Sequence, residues 1–167
     1  MADLHFRIAT LTDAPFIQQL VQSAFRAEDT RENWTADMEL GRNFTVSIDD
    51  VTKTITMPNT VILLAFTNDH REILVASVDV SQRTNDYARL SMVAVNTDYQ
   101  QAGVGRQVLA YAEEYARETW GVSKTGLNAL STRQELIAWY LRRGYQKTGE
   151  RCLFLERSFP IWYCRRI

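Results

Sequence analysis

The chain has 167 residues, 46% of them hydrophobic and 23% charged, with a formal net charge of −1. That suits a single domain spanning 1–167 with a core of its own. A charge so near zero creates no overall field toward DNA or an anionic membrane, so neither is an expected partner.

Phe6 and Ile8 alternate with polar neighbours and predict a short first strand. Thr12 reads as a helix N-cap, with Pro15 in the first turn. Behind it Phe16, Ile17, Leu20, Val21, Ala24 and Phe25 follow helical spacing. Residues 27–45 are mostly polar, with Trp34, Met38, Leu40 and Phe44 scattered among them, and read as an irregular segment. Ser47 and Asp50 form a capping-box pattern for a second helix to about Thr56, stopped by Pro58.

Val61–Phe66 and Ile73–Val80 are apolar runs joined by a polar turn, which predicts an antiparallel hairpin. A fourth strand follows at Leu90–Val95. From Gly103 to about Thr119 the pattern is helical, with Val104, Val108, Tyr111, Ala112 and Tyr115 on one face and Gly121 as the stop. Gly126–Leu130 reads as a strand, Arg133–Arg142 as a helix closed by Gly144, and Tyr145–Thr148 and Cys152–Leu155 as terminal strands. The order β-α-α-β-β-β-α-β-α-β-β predicts an α/β (α+β) domain on a mixed sheet.

Cys152 and Cys164 offer neither a disulfide framework nor C-x-x-C spacing, and His5 and His70 lie far apart without flanking cysteine. No metal is expected. The first residues lack the apolar core of a signal peptide, Ala2 stands where myristoylation needs glycine, and Arg165 and Arg166 spoil a prenylation box. The cytoplasm is the expected location.

The informative stretch is Val93-Ala94-Val95, then Gln100-Gln101-Ala102-Gly103-Val104-Gly105-Arg106, where a strand passes through a glycine-containing turn into a helix. The first N–H groups of a helix have no intrahelical partner, and the macrodipole puts partial positive charge there. Glycines at 103 and 105 let a phosphate or diphosphate approach those amides. A G-x-G alone could merely begin a helix. The third glycine of a dinucleotide loop is missing, because position 108 is Val, and Glu118 is too near and in the wrong element to bind a ribose. No Gly-Lys-Ser/Thr follows, so a P-loop fails too.

Gln100-x-x-Gly103-x-Gly105 after Val93-Ala94-Val95 resembles the acetyl-CoA signature of the GNAT superfamily of N-acetyltransferases. Arg7-Ile8-Ala9-Thr10 with Asp13-Ala14 is similar to that superfamily's opening, and Tyr140-Leu141-Arg142-Arg143-Gly144-Tyr145 to its close. The resemblance covers nearly the whole chain. It implies a GNAT-like fold whose fourth and fifth strands splay apart, and acetyl-CoA as cosubstrate.

On that resemblance the backbone of Val93, Ala94 and Val95 lies along the pantetheine arm, and the amides from Gln101 to Arg106 hold the diphosphate. A primary amine, of a small molecule or of a protein or peptide, attacks the thioester directly in a ternary complex, with a backbone N–H near Val93 facing the oxyanion. Tyr140 matches the family's tyrosine four residues before Gly144 and is the expected general acid for the leaving thiolate; by periodicity alone it is a core aromatic. Arg133 stands where many members carry Asn, and could reach coenzyme phosphates or be a solvated charge.

The glutamate that many members place early in the fourth strand is absent from Tyr87–Leu90. Asp79, Asp86, Glu28, Glu32 or a water chain remain as candidate bases. Trp34, Arg42 and Phe44 could form the substrate side. A non-catalytic acyl-CoA-binding sensor or interaction module is the alternative function. The apolar tail Phe159–Tyr163 could pack on its own sheet or on a partner's in a homodimer.

Overall fold

The computed structural model describes residues 3–27, 42–151 and 160–167. Its frame is one seven-stranded sheet in the order β1-β2-β3-β4-β5-β7-β6. The strands are β1 (Leu4–Ile8), β2 (Thr60–Thr67), β3 (Leu74–Thr84), β4 (Tyr87–Val95), β5 (Lys124–Leu130), β6 (Gln146–Arg151) and β7 (Pro160–Arg166). Helices α1 (Ala14–Arg26), α2 (Ile48–Thr56), α3 (Val104–Trp120) and α4 (Gln134–Leu141) complete it. The order of these described elements agrees with the predicted one, while Arg42 and Asn43, in the segment expected to be irregular, are helical. Among the described residues no helix is long and apolar enough to cross a membrane.

The start of α1 departs from the expected cap. Thr12 lies inside a short 3-10 turn, Leu11–Asp13, and Asp13 precedes the helix. The Asp13 carboxylate accepts the Thr10 N–H at 2.7 Å and the Thr10 hydroxyl at 2.9 Å. It also accepts two hydrogen bonds from the Arg7 guanidinium, both at 2.8 Å, which ties the helix entry to β1. The box at α2 is as expected: Ser47 Oγ accepts the Asp50 N–H at 3.0 Å, and the Asp50 carboxylate accepts the Ser47 N–H at 3.0 Å.

Strands β1 to β4 form an antiparallel meander through β2 and β3. Alternation sorts their side chains. Leu63, Val78, Val80, Ala88 and Leu90 point to the α3 side, where Val104, Val108, Leu109, Ala112 and Tyr140 complete one core. Ile62, Leu64 and Ala94 point the other way, against Ile17, Leu20 and Val21 of α1 and Val51 of α2. Each such valine, leucine or isoleucine, fully buried, contributes about 1.5–3 kcal/mol relative to exposure.

The far end holds a strand that the sequence reading did not place. The last strand is Pro160–Arg166, inserted between β5 and β6, while Cys152–Leu155 lies outside the described residues. Seven residues of β7 pair with β5, from Lys124↔Arg166 to Leu130↔Pro160. Of the two expected destinations for the tail, the described part joins its own sheet.

Candidate active site

Strand β4 organises the site. Its first residues, Tyr87–Arg89, pair in parallel with Lys124–Gly126 of β5, and the pairing stops there. β4 continues to Val95 and β5 to Leu130, so beyond Arg89 the strands part and, among the described residues, the β4 edge lacks a ladder on that side. On its other edge the register with β3 slips, because Asp79 faces Ser91 while Ser77 faces Ala94. Two steps of β3 span three of β4, and Met92 absorbs the extra residue at φ 49°. A bulge takes one residue out of the ladder and bends the strand, here immediately before Val93.

Beyond Val95, Asn96 Oδ1 accepts the Asp98 N–H at 3.1 Å and starts a 3-10 turn, Thr97–Tyr99. The N–H groups of Gln100 and Ala102 donate back to the carbonyls of Thr97 and Tyr99, at 3.4 and 3.2 Å. Gly103 then turns left-handed at φ 77°, a conformation that strains any residue with a Cβ, and α3 begins. Among the described residues no backbone carbonyl takes the N–H of Gln101, Gly103, Val104, Gly105 or Arg106. The run of amides expected from Gln101 to Arg106 is therefore interrupted at Ala102, whose N–H is used in the turn.

Gly105 has a different reason to be glycine. A Cβ there would lie 3.9 Å from the Trp139 ring and from Val95, ordinary contact distances, so protein packing does not demand glycine. What its absent side chain leaves open is the approach to the amides.

Arginines gather around this loop. Arg143 stacks its guanidinium 3.4 Å from the centre of the Trp139 ring and donates from Nη1 to the Trp139 carbonyl at 3.0 Å. Burial lowers its pKa from the usual range, and repulsion from Arg106 and Arg142 lowers it further. Its Nε is buried with no hydrogen-bond partner among the described residues. Arg143, repelled by Arg142 and by Arg106 at the end of the bare amides, suits a multiply charged anion, which would relieve the repulsion. A groove of about 1560 Å³ starts at Arg106 and runs beside α3 toward Lys124, with Arg117, Arg142, Arg143 and Arg165 on its walls. Trp139 is the aromatic wall between loop and arginine, its ring 3.9 Å from where a Cβ of Gly105 would lie and under the Arg143 guanidinium.

Tyr140 points into the α3-side core and is 6% exposed. Its ring meets Trp139 and Tyr145 edge-on, with centroids 5.2 and 5.7 Å away. Among the described residues nothing hydrogen-bonds its hydroxyl. Burial raises its pKa to about 12, against a smaller lowering by Arg133 and Arg143. Tyr145, in contrast, donates to Glu113 Oε1 at 2.7 Å, and Arg165 pairs with Glu113 Oε2 at 2.9 Å. That network joins α3 to β7 and leaves Tyr145 no free proton to give.

The candidate bases separate clearly. Asp86 sits at the far end of β4, bonded to the Ser123 hydroxyl and 3.1 Å from Lys124 Nζ, and Ser123 foremost lowers its pKa. Asp79 lies beside the bulge, and burial raises its pKa to about 7. Glu28, Glu32 and Trp34 lie outside the described residues. Phe44 stacks on Phe25, centroids 4.6 Å apart, so its ring is packed against α1. Arg42 is exposed.

A parted pair of parallel strands, a bulge in the first of them and a bare-amide loop leading into a helix define an acyl-transfer fold. Residues 17–145 match the acetyltransferase (GNAT) family, and the chain belongs to that family. Among solved structures it is similar to the ribosomal-protein-S18-alanine N-acetyltransferase of Escherichia coli, with 18% identity, a TM-score of 0.72, and 98% and 94% of the two chains covered. It is also similar to a spermidine/spermine N-acetyltransferase of Vibrio cholerae, with 14% identity, a TM-score of 0.70, and 98% and 92% covered. An acyl-CoA N-acyltransferase of Pseudomonas aeruginosa shares 19% identity, a TM-score of 0.69, and 99% coverage of both chains. At these identities the likeness is one of fold. No curated protein sequence matches the chain.

Proposed function

We propose that this protein transfers the acetyl group of acetyl-CoA to a primary amine by direct attack in a ternary complex. The observation that carries the reading is the set of unpartnered amides at Gln101 and Gly103–Arg106, next to a β4 edge that β5 leaves open. Those amides and the Arg106, Arg142 and Arg143 cluster would hold the diphosphate. The open edge from Ser91 to Val95 would accept the pantetheine amides as it would an added strand. The bulge at Met92 frees backbone near Val93 to face the developing oxyanion, a position where one donor is commonly worth a factor of about 10² in rate.

Tyr140 supplies the proton for the departing thiolate. A phenol whose pKa is raised to about 12 is fully protonated at neutral pH, so its proton is in place when the C–S bond breaks. The acceptor is a small-molecule amine or a protein or peptide amino group; the similar structures include enzymes named for each kind.

The test is thiol release from acetyl-CoA against a panel of polyamines, amino sugars and peptides with free N-termini. The reading expects release that depends on one class of amine. Saturable acetyl-CoA binding with no release across the panel would favour a non-catalytic acyl-CoA-binding module.

A further inference from the structure

We infer that Asp79 is the base that takes the proton from the acceptor's ammonium group, and that the polar strip around it selects a cationic amine; this rests on the acetyl-transfer reading above. Asp79 faces Ile62 of β2 and Ser91 of β4, so its side chain lies on the α1 side of the sheet. Ser77 and Ser81, two residues away on either side, share that face by strand alternation and are 0% and 7% exposed. Ser77 Oγ has no hydrogen-bond partner among the described residues.

The surroundings are otherwise apolar, with Ile17, Leu20 and Val21 of α1 and Ile62 forming the core on this face. The charged side chain that β4 adds to this face is Arg89, opposite Ser81. Desolvation is what moves Asp79, and among the described residues no neighbouring cation opposes it. A carboxyl placed in a sheet with no partner among the described residues costs stability and brings no packing gain, so a structural role does not account for it. An ammonium ion would supply the missing partner.

Position completes the case. Ser91, opposite Asp79, immediately precedes the bulge residue Met92, and Val93 follows. Adjacent strands lie about 4.8 Å apart, so the carboxyl is one strand from the open β4 edge, within reach of the attacking nitrogen directly or through one water.

The chemistry balances. The ammonium gives one proton to the Asp79 carboxylate, and its freed lone pair forms the C–N bond while the carbonyl electrons move to oxygen. As the adduct collapses, the C–S pair leaves with sulfur, which takes the Tyr140 proton. The second N–H proton restores the phenol through solvent, and Asp79 returns its proton to bulk. Ammonium and thioester become amide, thiol and one proton.

The test is the pH profile of kcat/KM for an amine found by thiol release. Wild type should rise through an apparent pKa near 7 and then level until the amine itself titrates. Asp79→Asn should lose about 100-fold or more at pH 7.5 and rise without a break toward the amine's own pKa, about 10.4 for a lysine-like acceptor. Asp79→Ser should match it, and Asp79→Glu should restore the break. Unchanged acetyl-CoA binding in each variant establishes that fold and coenzyme site are intact. A wild-type rate with the break retained in Asp79→Asn and Asp79→Ser overturns the inference. A wild-type protein that binds acetyl-CoA but acetylates no amine overturns the acetyl-transfer reading, and this inference with it.

Discussion

The hydroxyl of Tyr87 occupies the space in which a side chain on Gly126 would begin, and two further ring atoms lie 2.7 and 2.8 Å from that position. This happens at the last pairing of β4 with β5, where Tyr87 opposes Lys124 and Arg89 opposes Gly126. The point at which the sheet opens is therefore fixed by one large residue against one absent side chain. Gly126→Ala should destabilise the fold by about 1–3 kcal/mol, through forced rotation of the ring. Tyr87→Ala in that background should recover part of the loss, so urea denaturation of the four proteins should show non-additivity. Additive losses would mean that the contact does not set the opening.

Gly105→Ala separates folding from coenzyme binding. The added methyl meets Trp139 and Val95 at an ordinary 3.9 Å, so the melting temperature should hold. If the diphosphate approaches those amides, acetyl-CoA affinity should fall about tenfold or more, roughly 1.4 kcal/mol by calorimetry. Gly103→Ala should behave differently, because at φ 77° it strains the backbone and should lower stability as well.

Tyr140→Phe should lower kcat by about 10² with little change in KM for acetyl-CoA, since only a proton is withdrawn. The ring contacts with Trp139 and Tyr145 survive in the variant, so thermal stability should be kept. An unaltered kcat, measured under conditions where chemistry limits turnover, would remove the acid role.

Two carboxyls should give opposite stability effects with pH. Asp13 is held well below the ordinary range, chiefly by its hydrogen bonds from Arg7. Its folded pKa is lower than its unfolded one, so its contribution is present above about pH 4 and is lost as acid protonates it. Asp13→Asn should cost about 1–3 kcal/mol at neutral pH and flatten the acid limb of the stability curve. Asp79 has its folded pKa raised to about 7, so the fold binds an extra proton between about pH 4 and 7 and loses stability as pH rises through that window. At pH 8 Asp79→Asn should be the more stable protein while being the slower enzyme. Denaturant midpoints across pH 4–8 check both signs.

Much of this architecture was legible because it is written in local patterns. The capping box at Ser47 and Asp50, the β2–β3 hairpin and the glycine stop of α3 each follow from a few neighbouring residues. The entry to α1 was misread because Thr12 is a good cap in isolation, whereas Asp13 wins through Arg7, a residue on another element. The bulge at Met92 has no sequence mark, since it is a register slip between strands. Likewise Asp79 and Asp86 are equivalent as letters. Only the fold separates a carboxylate tied to Ser123 and Lys124 from one beside the bulge with no partner among the described residues. Trp139 and Arg143 join the site by stacking across four residues of α4 and the turn after it.

The most direct measurement of coenzyme capture is an ¹⁵N titration of the protein with acetyl-CoA and, separately, with pantetheine, which lacks the diphosphate. Acetyl-CoA should shift the amide signals of Gly103, Val104, Gly105 and Arg106 together and saturably, while pantetheine leaves them in place. Saturable acetyl-CoA binding that leaves those four amides unmoved would contradict the account.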